Sequence, residues 1–448
     1  MERVRNARGA ARREARATLP WHGGMRGARD RTAAVASRVL CIRLAYLVLL
    51  VLVDALVPDY DTSNEARGWL AGLGQWDGVY FLQTAQQRGY DAEQATAFFP
   101  LFPAIVVVVA ETVLLPVQWL LAPSDVLAAA AALWNVLATT GAAVALYSIR
   151  VPNMGEHIRY TAAIAFALTP ASVFYSVAYS EATFALLTLG GLAMLSRGRP
   201  WSAAAAFGLS GLARSTGPLY AGFIVFRTLQ RLAHGRSFTP ARLAIATVAQ
   251  CAVCAAPMLF VQYLLFARFC SDGARASVAA ASTAWCDEAV LPLVYGHVQA
   301  AYWDVGPFRY WQLKQVPNFA LATPMVILAA HAVITFAQAD WKRFQTLGVW
   351  TSAPPARPLG GRGTDFVAHW GTDDVLASVY LLALLTVVGL VSMHVQVLTR
   401  FLSPLPPLYW FVASLLHRGV ASGRIYLAYF LTYGVLGAVI HTNFFPWT

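Results

Sequence analysis

Carboxylates and cations in this sequence collect at the edges of long apolar runs. Asp77 sits in Gly74-Gln75-Trp76-Asp77-Gly78-Val79-Tyr80-Phe81-Leu82, and Asp91 and Glu93 follow it before the next run begins. Glu181 comes directly after Tyr179-Ser180, and Arg214, Lys314 and Arg400 each lie inside or beside an apolar stretch. A carboxylate within hydrogen-bond reach of a hydroxyl can take its proton as the oxygen attacks. Fixed cations can stabilise a leaving anion in a water-poor site. Each residue also has a plainer role open to it. Asp77 would cap an amphipathic helix lying at the membrane interface, satisfying orphan amides. Glu181, costly near a membrane interior unless paired or facing a cavity, would pair with a neighbouring helix. Arg400 would snorkel from a helix end, and Arg214 would mark a cytosolic boundary.

The elements that position these groups are membrane helices. Hydrophobic residues make up 58% of the 448 and charged residues 12%, with a mean hydropathy of +0.54. A soluble domain carries roughly 25% charged residues, so a soluble fold of this length could not cover its surface. Crossing about 30 Å of hydrocarbon takes about 20 apolar residues. Candidate runs are 39–57, 99–122, 125–149, 158–178, 181–196, 201–232, 241–268, 318–338, 375–393, 398–416 and 424–445. The expected fold is therefore an all-α polytopic membrane protein of about ten or eleven transmembrane helices. Run 201–232 is long enough to break at Gly217-Pro218, and 158–196 has room for a re-entrant pair. Three polar stretches remain: 58–98; the aromatic loop 269–317; and 339–374, a flexible Pro/Gly-rich linker.

The net charge is +11, and residues 1–43 hold eleven Arg against Glu2, Glu14 and Asp30, or 11 − 3 = +8 of it. A basic flank before a first span favours the cytosolic side. This makes 1–38 a disordered cytosolic tail and 39–448 the membrane domain, and it argues against nucleic acid as a partner. An Arg-rich, acid-poor start also suits an organelle transit peptide. Among five cysteines, Cys251 and Cys254 form a CxxC inside an apolar run with no second ligand pair. Cys270 and Cys286 share a polar loop where a disulfide is allowed if the loop is lumenal. No HExxH motif or Cys/His cluster with ligand spacing occurs, so no metal ion and no cofactor is expected.

Several blocks resemble one family in collinear order. They are Trp76-Asp77, Gly89-Tyr90, Glu93, Ala97-Phe98-Phe99-Pro100-Leu101-Phe102-Pro103, Ser180-Glu181 and Ala213-Arg214-Ser215-Thr216-Gly217. The order continues through Pro292-Leu293-Val294-Tyr295, Tyr302-Trp303-Asp304-Val305-Gly306 and Leu313-Lys314-Gln315-Val316-Pro317-Asn318-Phe319. It ends with Met393-His394-Val395-Gln396-Val397-Leu398-Thr399-Arg400-Phe401 and His441-Thr442-Asn443-Phe444-Phe445-Pro446-Trp447-Thr448. From about residue 40 to the end the chain resembles the GPI mannosyltransferase II (PIG-V) family. The basic tail and the linker at 351–363 fall outside the match, and Gly78 stands where relatives often have Ala.

The resemblance implies a GT-C-like helical bundle with lumenal loops, working in the endoplasmic reticulum membrane. Such an enzyme takes mannose from dolichol-phosphate-mannose and adds the second, α-1,6-linked mannose to the mannosyl-glucosaminyl-phosphatidylinositol acceptor of the GPI pathway. A related lipid-linked sugar transfer at another step, or a polytopic transporter, is the competing assignment. A β-linked donor giving an α-linked product means inversion, so one carboxylate base suffices, unlike the acid–base pair of inverting hydrolases. Asp77 becomes the expected base. The expected substrate-binding set is Trp76, Glu93, Glu181, Arg214, Tyr302, Trp303, Lys314, Gln315, His394, Gln396, Arg400 and His441. The partners so implied are the two lipid substrates, the surrounding membrane lipids and, as an accessory, a small membrane subunit.

Overall fold

The computed structural model describes residues 27–60, 68–152, 154–235, 239–271, 285–288, 293–349 and 373–445, and among these no strand occurs. The basic segment 1–26 and the linker at 351–363 lie outside the described residues. The helices are α1 (Gly27–Leu56), α2 (Asp77–Gln87), α3 (Leu101–Thr112), α4 (Pro123–Ser148), α5 (Glu156–Ala167), α6 (Glu181–Ser196), α7 (Pro200–Ser210) and α8 (Ala221–Ala233). They continue as α9 (Pro240–Cys270), α10 (Trp285–Glu288), α11 (Val294–Trp303), α12 (Val316–Ala339), α13 (Trp341–Gln345), α14 (Asp373–Ser392), α15 (Leu398–Leu402), α16 (Pro406–His417) and α17 (Ala421–Thr442). Helix α1 begins twelve residues before its apolar run. Residues 27–38, expected to be disordered, are helical, and Arg31 and Arg38 in this stretch find Glu156 and Tyr160 on α5.

Six helices among the described residues are long and apolar enough to cross a membrane: Asp30–Leu56, Asp125–Ser148, Pro240–Cys270, Leu313–Ala339, Val375–Ser392 and Ala421–Thr442. The other apolar runs fold as shorter or broken helices. Run 99–122 becomes α3 plus a short 3-10 turn, and run 201–232 breaks between α7 and α8. At that break a Cβ on Gly217 would lie 2.3 Å from the Gly211 backbone nitrogen, so the turn closes only without a side chain. Helices α5 to α8 have 12, 16, 11 and 13 residues. At 1.5 Å per residue they span roughly 16 to 24 Å, short of the hydrocarbon thickness.

Hydrogen bonds sort the helix ends into two levels. At one, Arg31 meets Glu156, the Arg150 amide after α4 bonds to Ser196 ending α6, Arg227 of α8 reaches the Leu195 carbonyl, and His417 meets Thr161. At the other, the Trp69 and Leu70 amides bond to Asp125 at the start of α4, Gly306 to the Ser392 carbonyl ending α14, and Tyr60 to the Asn443 carbonyl after α17. The first level carries Arg31 and Arg38 of the basic flank, the feature that the positive-inside rule associates with the cytosolic side. Helices α5–α6 and α7–α8 therefore rise from it and return, so that the joint between each pair lies within the membrane thickness.

Residues 168–180, joining α5 to α6, are mostly irregular and buried. Non-helical backbone at membrane depth is tolerated only where protein satisfies its polar groups. Three side chains from crossing helices do so. Arg43 of α1, fully buried, donates to the Ser172 carbonyl at 2.7 Å and the Ala167 carbonyl at 3.3 Å. Asn135 of α4 donates to the Val177 and Tyr179 carbonyls, and Thr139 to that of Tyr175. Arg43 thus leaves the set of topology-setting charges and becomes an internal clasp. The loop before α3 is held as firmly: the Ala178 amide bonds to the Leu73 carbonyl at 2.8 Å, and Phe81 of α2 packs among Phe98, Phe102 and Tyr179.

Cys270, ending α9, forms a disulfide with Cys286 of α10, their Cα atoms 5.7 Å apart, while Cys41, Cys251 and Cys254 are free. Maleimide labelling of the denatured, unreduced protein is expected to modify three of the five cysteines, and all five after reduction; the mass shift reads this directly. Asn135→Ala removes the side-chain donor from the Val177 and Tyr179 carbonyls at membrane depth, and a loss of about 1–3 kcal/mol is expected, seen as a lower melting temperature in detergent.

Candidate active site

Four charged residues from four elements meet near the second of these levels, beside Val305 and Met393. Asp77 is the first residue of α2. Its side chain caps nothing there; Oδ2 instead accepts a hydrogen bond from Arg400 Nη1 of α15 at 2.9 Å. Arg400 Nε donates to Glu181 Oε1, the first residue of α6, at 2.7 Å. Arg214, in the turn between α7 and α8, donates to that same oxygen. The Glu181 side chain is 1% exposed, Arg400 10%, Arg214 13% and Asp77 35%, so the chain of charges runs from the interior to an open face. A guanidinium keeps its charge in any protein environment, and Glu181 is the counterion that makes two buried ones tolerable.

Aromatic rings fix the same groups. The Arg400 guanidinium carbon lies 4.6 Å from the centre of the Phe174 ring and 4.7 Å from that of Tyr179, and Arg214 lies 4.8 Å over Phe401. The Asp77 amide donates to the Tyr179 hydroxyl at 3.1 Å. Trp76 carries φ 57° and ψ −128°, a backbone state costly for any residue with a Cβ and characteristic of sites the surroundings over-determine. It turns the chain so that Asp77 faces Arg400, while its own ring packs on Phe444, centroids 5.7 Å apart.

Asp77, Arg214 and Arg400 line one cavity of about 290 Å³, with Phe98, Ser215, Tyr295, Gln299, Trp303, His394, Gln396 and Phe401 among its other walls. Of the residues singled out in the sequence, Asp77, Arg214, Trp303, His394, Gln396 and Arg400 meet here, with Glu181 directly behind. His394 is held by the Trp303 carbonyl at 2.7 Å and by stacking on Tyr310. The remaining ones are placed elsewhere. Glu93 accepts from Tyr302 at 2.9 Å and faces His297, tying the first loop to α11 outside the cavity. Lys314 is exposed beside Leu313 and Trp311, and Gln315 bonds to Asn318. His441 is buried against Phe174 and Tyr179, and Trp76 leaves the cavity for Phe444.

Tyr295 and Ser215 line the cavity although the sequence singled out neither, and burial pushes the Tyr295 phenol above its usual pKa. Both stand inside matched blocks, beside Val294 and Arg214, and that adjacency was the available signal. The metal-free expectation also passed over an Asp-x-Asp spacing, Asp59-Tyr60-Asp61. Asp61 lies outside the described residues, and Asp59, raised in pKa by partial burial against an opposing bond from Gln75, is not in the cavity wall. Among the described residues no three His, Cys, Asp or Glu side chains converge as a metal site.

The profile of the mannosyltransferase (PIG-V) family matches residues 41–448. The GPI alpha-1,6-mannosyltransferase 2 of Mus musculus is 33% identical over 93% of this chain and 97% of its own length. That of Homo sapiens is 32% identical over 91% and 96%. The GPI mannosyltransferase 2 of Drosophila melanogaster is 26% identical over 93% and 100%. Among solved structures, the oligosaccharyltransferase of Archaeoglobus fulgidus matches 90% of this chain at 12% identity and a TM-score of 0.45. The chain spans about half of that protein, 55% of its length.

Two substitutions separate the buried pairing from mere proximity. Glu181→Gln removes the shared counterion, leaving Arg214 without a carboxylate and Arg400 with Asp77 alone, and a loss of about 3–5 kcal/mol is expected, read as a lower melting temperature in detergent. Gly78→Ala adds a methyl 3.6 Å from the Ala178 carbonyl oxygen and the Tyr179 ring, an ordinary contact. It is expected to be neutral or to stabilise α2 by about 0.5–1 kcal/mol.

Proposed function

This chain belongs to the mannosyltransferase (PIG-V) family, and we propose that it adds an α-1,6-linked mannose from dolichol-phosphate-mannose to the mannosyl-glucosaminyl-phosphatidylinositol acceptor of GPI biosynthesis at the endoplasmic reticulum membrane. The observation that carries the proposal is a single cavity lined by a partly open carboxylate, Asp77, and two guanidinium groups, Arg214 and Arg400. A base and an anion site within one pocket are what direct displacement on a glycosyl phosphate requires.

The step balances as one displacement. The acceptor hydroxyl oxygen bonds to C1 of mannose while its proton passes to the Asp77 carboxylate. The bond from C1 to the phosphate oxygen breaks, and the phosphate keeps the electron pair. Asp77 gives Oδ2 to Arg400 and has Oδ1 left to accept the proton, and the Arg400 bond orients the carboxylate. The leaving phosphate gains negative charge, which Arg214 and Arg400 stabilise in a site that excludes most water. Glu181 shares one oxygen between both cations, so it holds them without cancelling both charges. The N-termini of α2 and α6 also point their positive dipole ends to this region. Trp303 and His394 offer an aromatic wall and a polar ring to a sugar. The proposal requires no cofactor, because the donor is a co-substrate, and Lys314 beside exposed Leu313 and Trp311 suits contact with lipid headgroups.

Complementation of cells lacking the second GPI mannosyltransferase tests this. The wild-type chain is expected to restore surface GPI-anchored protein, and Asp77→Asn to fail at equal protein level, a loss of roughly 10²–10⁴-fold in rate. Full rescue by the Asn variant would remove Asp77 as the base. Failure of the wild type with both lipid substrates present would remove the pathway assignment.

A further inference from the structure

The buried side of the charge cluster holds polar atoms that no group among the described residues satisfies. His441, on the last turn of α17, is 1% exposed, and both its ring nitrogens lack a hydrogen-bond partner. Glu181 Oε2 is equally buried and equally unpartnered, although Oε1 serves two arginines. Gln75 Oε1 and Asn443 Oδ1 are unpartnered too, and Gln75 reaches the residue next to His441, bonding to the Thr442 carbonyl at 3.1 Å. A neutral imidazole carries one donor and one acceptor, and leaving such groups dry in a protein interior costs about 1–3 kcal/mol each. Groups of this kind are normally bridged by buried water with two to four polar partners.

The His441 ring lies on the rear of the box that holds Arg400. Its centroid is 5.6 Å from Phe174 and 5.4 Å from Tyr179, the two adjacent rings against which the Arg400 guanidinium rests. Phe or Leu would fill that space as well and would bring no unsatisfied nitrogen. A histidine there makes sense if its N–H has a use, and of the unpaired acceptors Gln75 Oε1, Asn443 Oδ1 and Glu181 Oε2 the Glu181 carboxylate is the charged one and lies within electrostatic reach of the ring.

We propose that His441 is a positioning residue, not a sugar-binding one: through buried water it donates to Glu181 Oε2, fixing the carboxylate that aims Arg214 and Arg400 at the donor phosphate. The proposal rests on the mannosyl-transfer function above, which wild-type activity tests by itself. Two replacements divide hydrogen bonding from packing. His441→Phe keeps a ring in the box and removes the donor; His441→Gln keeps a donor and loses the ring. Mannose transfer by the purified enzymes is measured with dolichol-phosphate-mannose as donor, alongside melting temperature in detergent.

The Phe variant is expected to lose at least about tenfold in kcat, the effect of about 1.4 kcal/mol, with little change in acceptor KM. It is also expected to melt below wild type, because it strands Glu181 Oε2. The Gln variant is expected to recover most of both losses. A Phe variant as active and as stable as wild type would overturn the proposal, leaving His441 as packing. So would a Gln variant no better than Phe. Should wild type transfer no mannose, the function fails, and the order of the melting temperatures still decides the role of His441.

Discussion

A carboxylate that almost no solvent reaches organises the centre of this protein. Glu181 could not stay ionised at its depth without cationic partners, and it takes two from different parts of the chain. Arg214 arrives on the turn between α7 and α8 and Arg400 on α15. Removing Glu181 leaves Arg214 buried without a counterion and Arg400 with Asp77 alone, which costs far more than the pair contributes. That asymmetry makes the relative placement of α6, the α7–α8 turn and α15 a condition of folding. Asp77 joins as the outermost member and is the most exposed of the four.

The helices that carry these groups stop short of crossing the membrane. Helix α6 starts where the irregular segment 168–180 ends, and that segment survives at depth because Arg43, Asn135 and Thr139 bond to its carbonyls. Tyr179, at the end of the segment, accepts from the Asp77 amide. Hydrogen bonds through this segment therefore join the transmembrane helices α1 and α4 to Asp77. The site is recessed because its helix ends are recessed, with backbone polarity handled by side chains rather than by water.

For a transferase acting between two lipids this depth matters. Both substrates arrive within the bilayer, with reacting groups near the headgroup boundary, so a pocket of short helix ends set below that boundary meets them where they lie. The aromatic walls and the guanidinium groups lie in the same cavity, as the proposed holding of sugar and phosphate together requires.

Hydropathy alone determined that the chain is an all-helical membrane protein, because run length and charge scarcity are local properties. Spacing placed Asp77 at a helix start, Gly217-Pro218 at a break, and Cys270 and Cys286 within one loop. Block order marked Arg214 and Arg400 as more than boundary charges. Sequence could not show that Asp77 leaves its cap role for Arg400, nor that Glu181 serves two cations, since those partners lie 323, 219 and 33 positions apart in the chain. Nor could it sort the polar candidates. Glu93 and Tyr302 found each other outside the cavity, and His441 went behind it, while Tyr295 and Ser215 came into the wall. Periodicity tells which residues prefer lipid, and it is silent on which helix ends meet. Only the packed bundle decides that, because buried charges must find one another across the fold.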